Sequence, residues 1–210
     1  AEIPYIELTV VFETLVTVSA YHDDGFGRQV EWDLPLTEGY AHQIASSNKA
    51  IENLLKTSDV LWVHGWDSNL RRKTLSIASK ARIPTLMRGE NTLIAMPKGS
   101  GLRSFFKRYY LKRIFRCCSG FLCIGTDNRN YYKSYGIDTA RLFSMPYTID
   151  NEKFNTRARV ASSRRNEFRQ KLGLQLNRPV ILFAGKLQRR KHPLCLFEAW
   201  KQLDQEITRR

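Results

Sequence analysis

The chain is 210 residues long, about 1.4 times a typical domain of roughly 150 residues, which fits one large domain plus the beginning of a second. With 42% hydrophobic and 26% charged residues, 12 Gly and 7 Pro, it has material for a sizeable core and is neither collagenous nor low-complexity. Its 34 Lys and Arg outweigh 20 Asp and Glu to give a net charge of +14, favouring anionic partners such as phosphate, nucleic acid or acidic lipid.

The opening Ala1-Glu2-Ile3-Pro4 lacks a basic start followed by an apolar run, so no signal peptide is expected. A first strand is predicted at 6–12. Residues 13–58 fit no regular alternation and read as a long insertion of the kind that often carries binding loops. Within it, Asp23, Asp24, Gly25 and Gly27 make a polar turn, and Trp32-Asp33-Leu34-Pro35-Leu36 reads as extended. Strands then follow at 59–64, 83–87, 120–125, 141–145 and 179–184, with helical patterning at 67–80, 101–117 and 127–135 between several of them. Patterning stops at Pro146, which places a linker at 147–158. A basic helix at 160–172 ends at Gly173, and a strand-helix unit over 179–206 opens a second domain.

The apolar runs are continuous rather than alternating, as in parallel strands buried on both faces. Strand-helix alternation predicts an α/β class, a Rossmann-like, doubly wound and mainly parallel sheet. Ligands of such sheets sit at the carboxyl ends of the strands. The positions that matter are therefore Gly65-Trp66-Asp67, Arg88-Gly89-Glu90, Thr126-Asp127-Asn128 and Gly185-Lys186. No stretch approaches about 18 consecutive apolar residues, which excludes a transmembrane helix. Cys117, Cys118, Cys123 and Cys195 show neither CxxC nor metal-ligand spacing, and read as reduced, mostly buried thiols suited to the cytoplasm.

Two segments carry chemistry. In the first, the run Ile181 to Ala184 ends at Gly185. A loop with Lys186, Arg189, Arg190 and Lys191 then leads to Pro193 at the first turn of a helix. Unpaired N–H groups at a helix start, with Lys186 and Lys191 beside them, suit a diphosphate; the plain alternative is a basic surface loop. In the second, Lys98, Arg103, Lys107, Arg108, Lys112, Arg113 and Arg116 occur without an acidic residue, interleaved with Phe105, Phe106, Tyr109, Tyr110 and Phe115. Lys107, Arg108, Lys112 and Arg113 can meet an anionic membrane surface. Packing is the favoured arrangement, with the Phe and Tyr positions covering the sheet.

Together these residues resemble family-4 glycosyltransferases. Gly185-Lys186 followed by Lys191 is similar to the signature opening that family's donor domain, and the run from Met145 to Phe154 resembles its interdomain "P-x-x-[VI]-D … F" segment. Ile124-Gly125-Thr126-Asp127-Asn128, running on to Tyr131-Tyr132 and Tyr135-Gly136, resembles the strand-to-helix step before that segment. Gly25-Phe26-Gly27-Arg28, Trp32 to Leu36 and Gly39-Tyr40 resemble an acceptor-domain insertion of one bacterial subgroup.

The resemblance implies a GT-B architecture of two Rossmann-like domains. It implies retaining transfer from a nucleoside-diphosphate sugar to a glycan or lipid-linked acceptor, with no cofactor and no dedicated metal. Gly185, Lys186 and Lys191 would hold the donor diphosphate. Many members carry a His just after the strand that ends here in Leu86-Met87-Arg88-Gly89-Glu90; with no His there, Arg88 and Glu90 become the catalytic candidates. His64, Asp67, Thr126 and Asn128 are acceptor-side candidates. Glu198 and Glu206 satisfy an E-x7-E spacing but share one early helix, and read as exposed helix carboxylates.

On this basis residues 1–146 form an acceptor-side domain, 147–158 a linker and 159–210 the incomplete beginning of a donor-side domain, a fragment inactive alone. The expected location is cytoplasmic, with a peripheral seat at the inner face of the membrane as an option. The rival class is a non-catalytic module that binds nucleic acid or a membrane surface. No RNA-binding signature supports the nucleic-acid form.

Overall fold

A computed structural model describes residues 5–14, 20–31, 36–45, 47–95 and 101–207, the last four and Arg190 as backbone only. The chain runs β1 (Thr9–Phe12), β2 (Tyr21–Asp23), β3 (Arg28–Val30), β4 (Ala41–Ile44), α1 (Asn48–Lys56), β5 (Leu61–His64), α2 (Asn69–Lys80) and β6 (Thr85–Arg88). It continues through α3 (Leu102–Arg116), β7 (Gly120–Cys123), α4 (Thr126–Ser134), β8 (Leu142–Ser144), α5 (Asn151–Ser163), α6 (Arg165–Lys171) and α7 (Pro193–Ile207). Two compact units result. One gathers Ala1–Thr14 with Gly39–Ile149, the other Leu15–Glu38 with Asp150–Arg210.

The first unit is built on a four-stranded sheet in the order β5-β6-β7-β8, parallel throughout. Helices link successive strands, the Rossmann-like arrangement expected. Serine side chains start two of the helices of this unit: Ser47 accepts from Ala50 N–H and Ser68 from Arg71 N–H, satisfying first-turn donors that have no partner inside the helix. The core gathers where α3 and α4 cover β7. Phe115, fully buried, meets the rings of Phe121, Tyr132 and Tyr135 edge-on at 5.2–5.5 Å between centroids.

Burial of the strands on both faces holds only for β7, where all four residues are buried. β6 alternates, burying Thr85 and Met87, while β5 buries Val63 alone. Residues 39–58 are not an insertion. β4 pairs in parallel with β1, Thr9 opposite Ala41, and α1 packs Ile51 and Leu55 on Ala78 of α2.

Helix α3 departs from expectation more sharply. Leu111, Ile114 and Phe115 face the core, but Phe105, Phe106 and Tyr109 are 66%, 64% and 63% exposed. At about 100° per residue these aromatics lie opposite the buried positions. The helix therefore has two apolar faces: Phe115 covers the sheet as expected, while Phe105, Phe106 and Tyr109 stand on the opposite one.

In the second unit β2 and β3 pair as a hairpin, Tyr21 opposite Val30. Its turn is the polar one expected: Asp23 Oδ1 accepts from the N–H of Gly25 at 2.8 Å and of Phe26 at 3.2 Å. The extended run Trp32 to Pro35 lies outside the described residues, as does Lys98. Helix begins earlier than 160. Asp150 accepts from Lys153 N–H, so α5 starts at Asn151 and occupies 151–158, where a linker is expected. The expected strand at 179–184 is absent, and Val180, Ile181 and Leu182 are exposed. A parallel strand exists only through its neighbours. Among the described residues this unit offers no parallel sheet for it to join.

The four cysteines are free. Cys118 and Cys123 are buried, and burial pushes the Cys118 thiol up to about 12, whereas Cys195 is exposed. Titration with a disulfide reagent at neutral pH is expected to modify Cys195 within the mixing time and Cys118 only on unfolding. Prompt labelling of Cys118 in the folded protein would contradict this packing. Among the described residues, no helix is long and apolar enough to cross a membrane.

Candidate functional site

Parallel pairing of β5 with β6 sets His64 opposite Arg88, and Gly65 N–H extends the ladder by donating to the Arg88 carbonyl at 2.7 Å. The carboxyl ends of two strands thus present an imidazole beside a guanidinium. Just past β6, Gly89 is buried and closely packed, since a Cβ there would stand 3.0 Å from the Tyr132 hydroxyl and press on it. Glu90 then turns outward and accepts a hydrogen bond from the Tyr147 hydroxyl. The Tyr147 ring lies over the Arg88 guanidinium, 4.6 Å from its centroid.

The electrostatics follow from this arrangement. The hydrogen bond to the Glu90 carboxylate, with some burial, holds the Tyr147 hydroxyl above its ordinary pKa. Nε and Nη2 of Arg88 are buried without a hydrogen-bond partner among the described residues. An unsatisfied cationic donor pair is costly and favours an acceptor oxygen at this spot. Arg88, Glu90 and His64 are therefore brought to one end of the sheet, and Tyr147 joins them. Sequence reading placed Tyr147 only within a segment motif; nothing local to it signals a contact with residues near 90.

The other acceptor-side candidates divide. Asp67 pairs with Arg71 across the first turn of α2. Desolvation raises its pKa, but the hydrogen bond and charge of Arg71 outweigh that and leave it lowered. That carboxylate is committed to starting a helix. Thr126 is exposed at the first position of α4. Asn128 is buried and works as a brace: its Nδ2 donates to the Asn91 carbonyl at 2.8 Å, and its Oδ1 accepts from Ile124 N–H at 3.2 Å. It holds the loop carrying Glu90 in place.

In the second unit, Lys186 follows Gly185, whose φ of 157° suits a residue without Cβ. Its ammonium is already engaged, donating to both carboxylate oxygens of Asp23 at 2.7 Å and lying 4.9 Å from the centre of the Phe26 ring. Gly25 permits this approach, because a Cβ there would come within 2.7 Å of the lysine chain. The hydrogen bond from Lys186 is the main reason the Asp23 carboxyl titrates below its usual range, against a smaller opposing effect of burial. Lys191 ends a 3₁₀ turn (Arg189–Lys191) just before α7 and is exposed. Glu198 pairs with Lys201 along α7 at 3.3 Å, as an ordinary helix carboxylate; the side chain of Glu206 lies outside the described residues.

Of the membrane-surface candidates, Lys107, Lys112 and Arg113 are exposed on α3. Arg108 is used internally. It donates to the Ser134 carbonyl at the end of α4 and stacks on Tyr135, 5.0 Å from the ring centroid.

No family model matches the chain, and no solved structure matches it. Among curated proteins, it is similar to a D-inositol 3-phosphate glycosyltransferase of Xylanimonas cellulosilytica, 34% identical over 73 residues. The match covers 35% of this chain and 18% of the relative's length. This similarity supports a relationship between the chain and glycosyltransferases.

Proposed function

We propose that the chain takes part in sugar transfer from a nucleoside-diphosphate sugar to a glycan or lipid-linked acceptor, with retention at the anomeric carbon. The observation that carries this is the similarity to a glycosyltransferase, met in a chain whose parallel sheet gathers His64, Arg88 and Glu90 at its carboxyl end. In the reaction the bond from the anomeric carbon to the donor phosphate breaks and a bond to the acceptor oxygen forms. The acceptor proton leaves with the nucleoside diphosphate. Arg88 and Glu90 would hold the acceptor, while Gly185, Lys186 and Lys191 would take the diphosphate and neutralise its charge. We expect no turnover by residues 1–210 alone. Among the described residues, the second unit offers the Lys186 loop for the diphosphate but no parallel sheet to complete a donor-side domain around it.

Equilibrium binding of UDP- and GDP-sugars to the 210-residue chain, in competition with single-stranded RNA, tests the proposal. Saturable nucleotide-sugar binding that Lys186→Gln weakens roughly tenfold is the expected result, about 1.4 kcal/mol. Steeply salt-dependent RNA capture that neither nucleotide sugar competes away would sink it in favour of a nucleic-acid module.

Asp23 gives a sharper prediction. Its carboxylate competes with phosphate for the same ammonium, so Asp23→Asn is expected to tighten pyrophosphate binding severalfold, measured by calorimetry. Because the folded-state pKa of Asp23 is lowered, the ion pair stands throughout neutral pH and is lost as the pH falls through that lowered value. The gap between wild type and Asp23→Asn should therefore close in acid. Equal affinities at neutral pH would show that phosphate does not bind at Lys186.

A further inference from the structure

We propose that Arg88 is the seat of an oxyanion, a carboxylate or phosphate borne by the acceptor, and that Tyr147 is the movable cover of that seat. This deepens the reading of sugar transfer, on which it rests only for calling the ligand an acceptor. The nitrogens of Arg88 that lack partners decide the chemistry. Nε and Nη2 lie along one edge of the guanidinium, and their N–H bonds run parallel, a fork that matches the two oxygens of one carboxylate or phosphate. Both are buried, and no described residue accepts from either. A cation closed off in this way destabilises every folded molecule unless an anion offsets it.

The neighbouring groups leave the fork to a ligand. Glu90, two residues further on, gives its carboxylate to the Tyr147 hydroxyl. His64, opposite Arg88 on β5, is exposed and brings a further N–H donor to the same end of the sheet. A neutral hydroxyl fills one of two parallel donors, whereas an oxyanion fills both and balances the charge. Because the fork is buried, an anion reaches it only when its cover moves. The Tyr147 ring lies on the face of the guanidinium, 4.6 Å from centroid to cation, yet the residue is itself 56% exposed. It belongs to residues 145–150, which form neither helix nor strand between β8 and α5. Among the described residues its polar ties are that cation–π contact and one hydrogen bond to exposed Glu90, both weak at a protein surface. An incoming oxyanion exchanges them for a charge-assisted pair of hydrogen bonds.

Arginine isotopically labelled at Nε gives each side chain its own NMR signal, and the signal that Arg88→Lys removes is that of Arg88. In the 210-residue chain this signal should shift saturably with inorganic phosphate or with acetate, and not with chloride at equal ionic strength. The tighter of the two anions names the charged group of the acceptor. Tyr147→Phe keeps the ring but loses the tie to Glu90, and should tighten binding about threefold. Arg88→Met removes the unpaired charge and should melt at or above the wild-type temperature, as expected of a group held for a ligand and not for the fold. A signal that neither anion moves, or that chloride moves equally, overturns the proposal. So does a Tyr147→Phe affinity no tighter than wild type, or melting of Arg88→Met several degrees below it. Lys186→Gln should leave the response of Arg88 intact. If nucleotide sugars fail to bind while Arg88 still takes the anion, the reading of sugar transfer falls and the anion seat stands; the reverse result strikes the anion seat alone.

Discussion

Replacing Phe115 by Ala is expected to lower the unfolding free energy by about 3–5 kcal/mol, the cost of a large core truncation. Phe115 has no exposed surface, and its ring is the hub of an aromatic cluster. Phe121 below it on β7, and Tyr132 on α4 and Tyr135 just past its end, meet it at 5.5, 5.5 and 5.2 Å between centroids. Tyr131 adds a fourth edge at 6.3 Å. Removing the ring deprives each neighbour of its edge-to-face partner and leaves a cavity that three phenols, fixed by their own packing, cannot fill. Against a total stability of about 5–15 kcal/mol for a domain, such a loss separates folded from marginal. Urea denaturation followed by far-UV circular dichroism measures it. A change below about 1 kcal/mol would mean that α3 does not close the core through Phe115.

The second large effect concerns Asn128, and it distinguishes a brace from a ligand contact. Its amide donates inward to the Asn91 carbonyl while its oxygen receives Ile124 N–H, and only 1% of the residue is exposed. Asn128→Asp keeps the shape but replaces the donor with a carboxylate oxygen that faces a carbonyl. The expected loss is about 2–4 kcal/mol at neutral pH, from one hydrogen bond reversed and one charge buried. The sign with pH is opposite to that of Asp23. Burial raises the folded-state pKa of the new carboxyl above its unfolded value near 3.9. Protonation restores a donor, so the variant should recover relative to wild type as the pH falls, and the deficit should be complete above the folded-state pKa. A pH-independent deficit, or none, would show that Asn128 is not held as described. Because the brace supports the loop from Gly89 to Asn91, loosening it is expected to disturb the Glu90–Tyr147 contact as well.

The sheet was legible from the sequence because its strands are short apolar runs with helices between them, and that pattern survives any choice of partner. Five of the six expected strands form, within a few residues. The sixth, 179–184, has the same composition as the others, but strand formation is a property of pairs, and no local residue records whether a neighbour is present. Face assignment failed for a related reason. α3 is apolar on two sides, so periodicity alone could not say which side meets the sheet; the choice falls to Leu111, Ile114 and Phe115 because α4 supplies rings that fit them. Apolar patterning stops at Pro146 and so suggests a linker, whereas Asp150 is the cap that begins α5.

The placing of His64, Arg88 and Glu90 at the carboxyl end of the sheet was legible, since chain order alone fixes where a parallel strand stops. The partners that set their chemistry were not readable. Tyr147 reaches Glu90 and Arg88 from far along the chain, and Asn128 looks like a polar helix-start residue until its two hydrogen bonds are seen. Lys186 looks like a free cation until Asp23 is placed against it.

That last contact has a consequence for how the molecule is assembled and cut. Asp23 and Lys186 are 163 positions apart in the chain. Closing so long a loop costs entropy that few other contacts recover, so this pair is expected to form late in folding, after the parallel sheet has consolidated. It also means that the second unit is not a continuous stretch. A peptide beginning at Asp150 would lack the hairpin, and with it Asp23, Gly25 and Phe26. Its Lys186 would then show an undamped appetite for anions that the intact chain does not have.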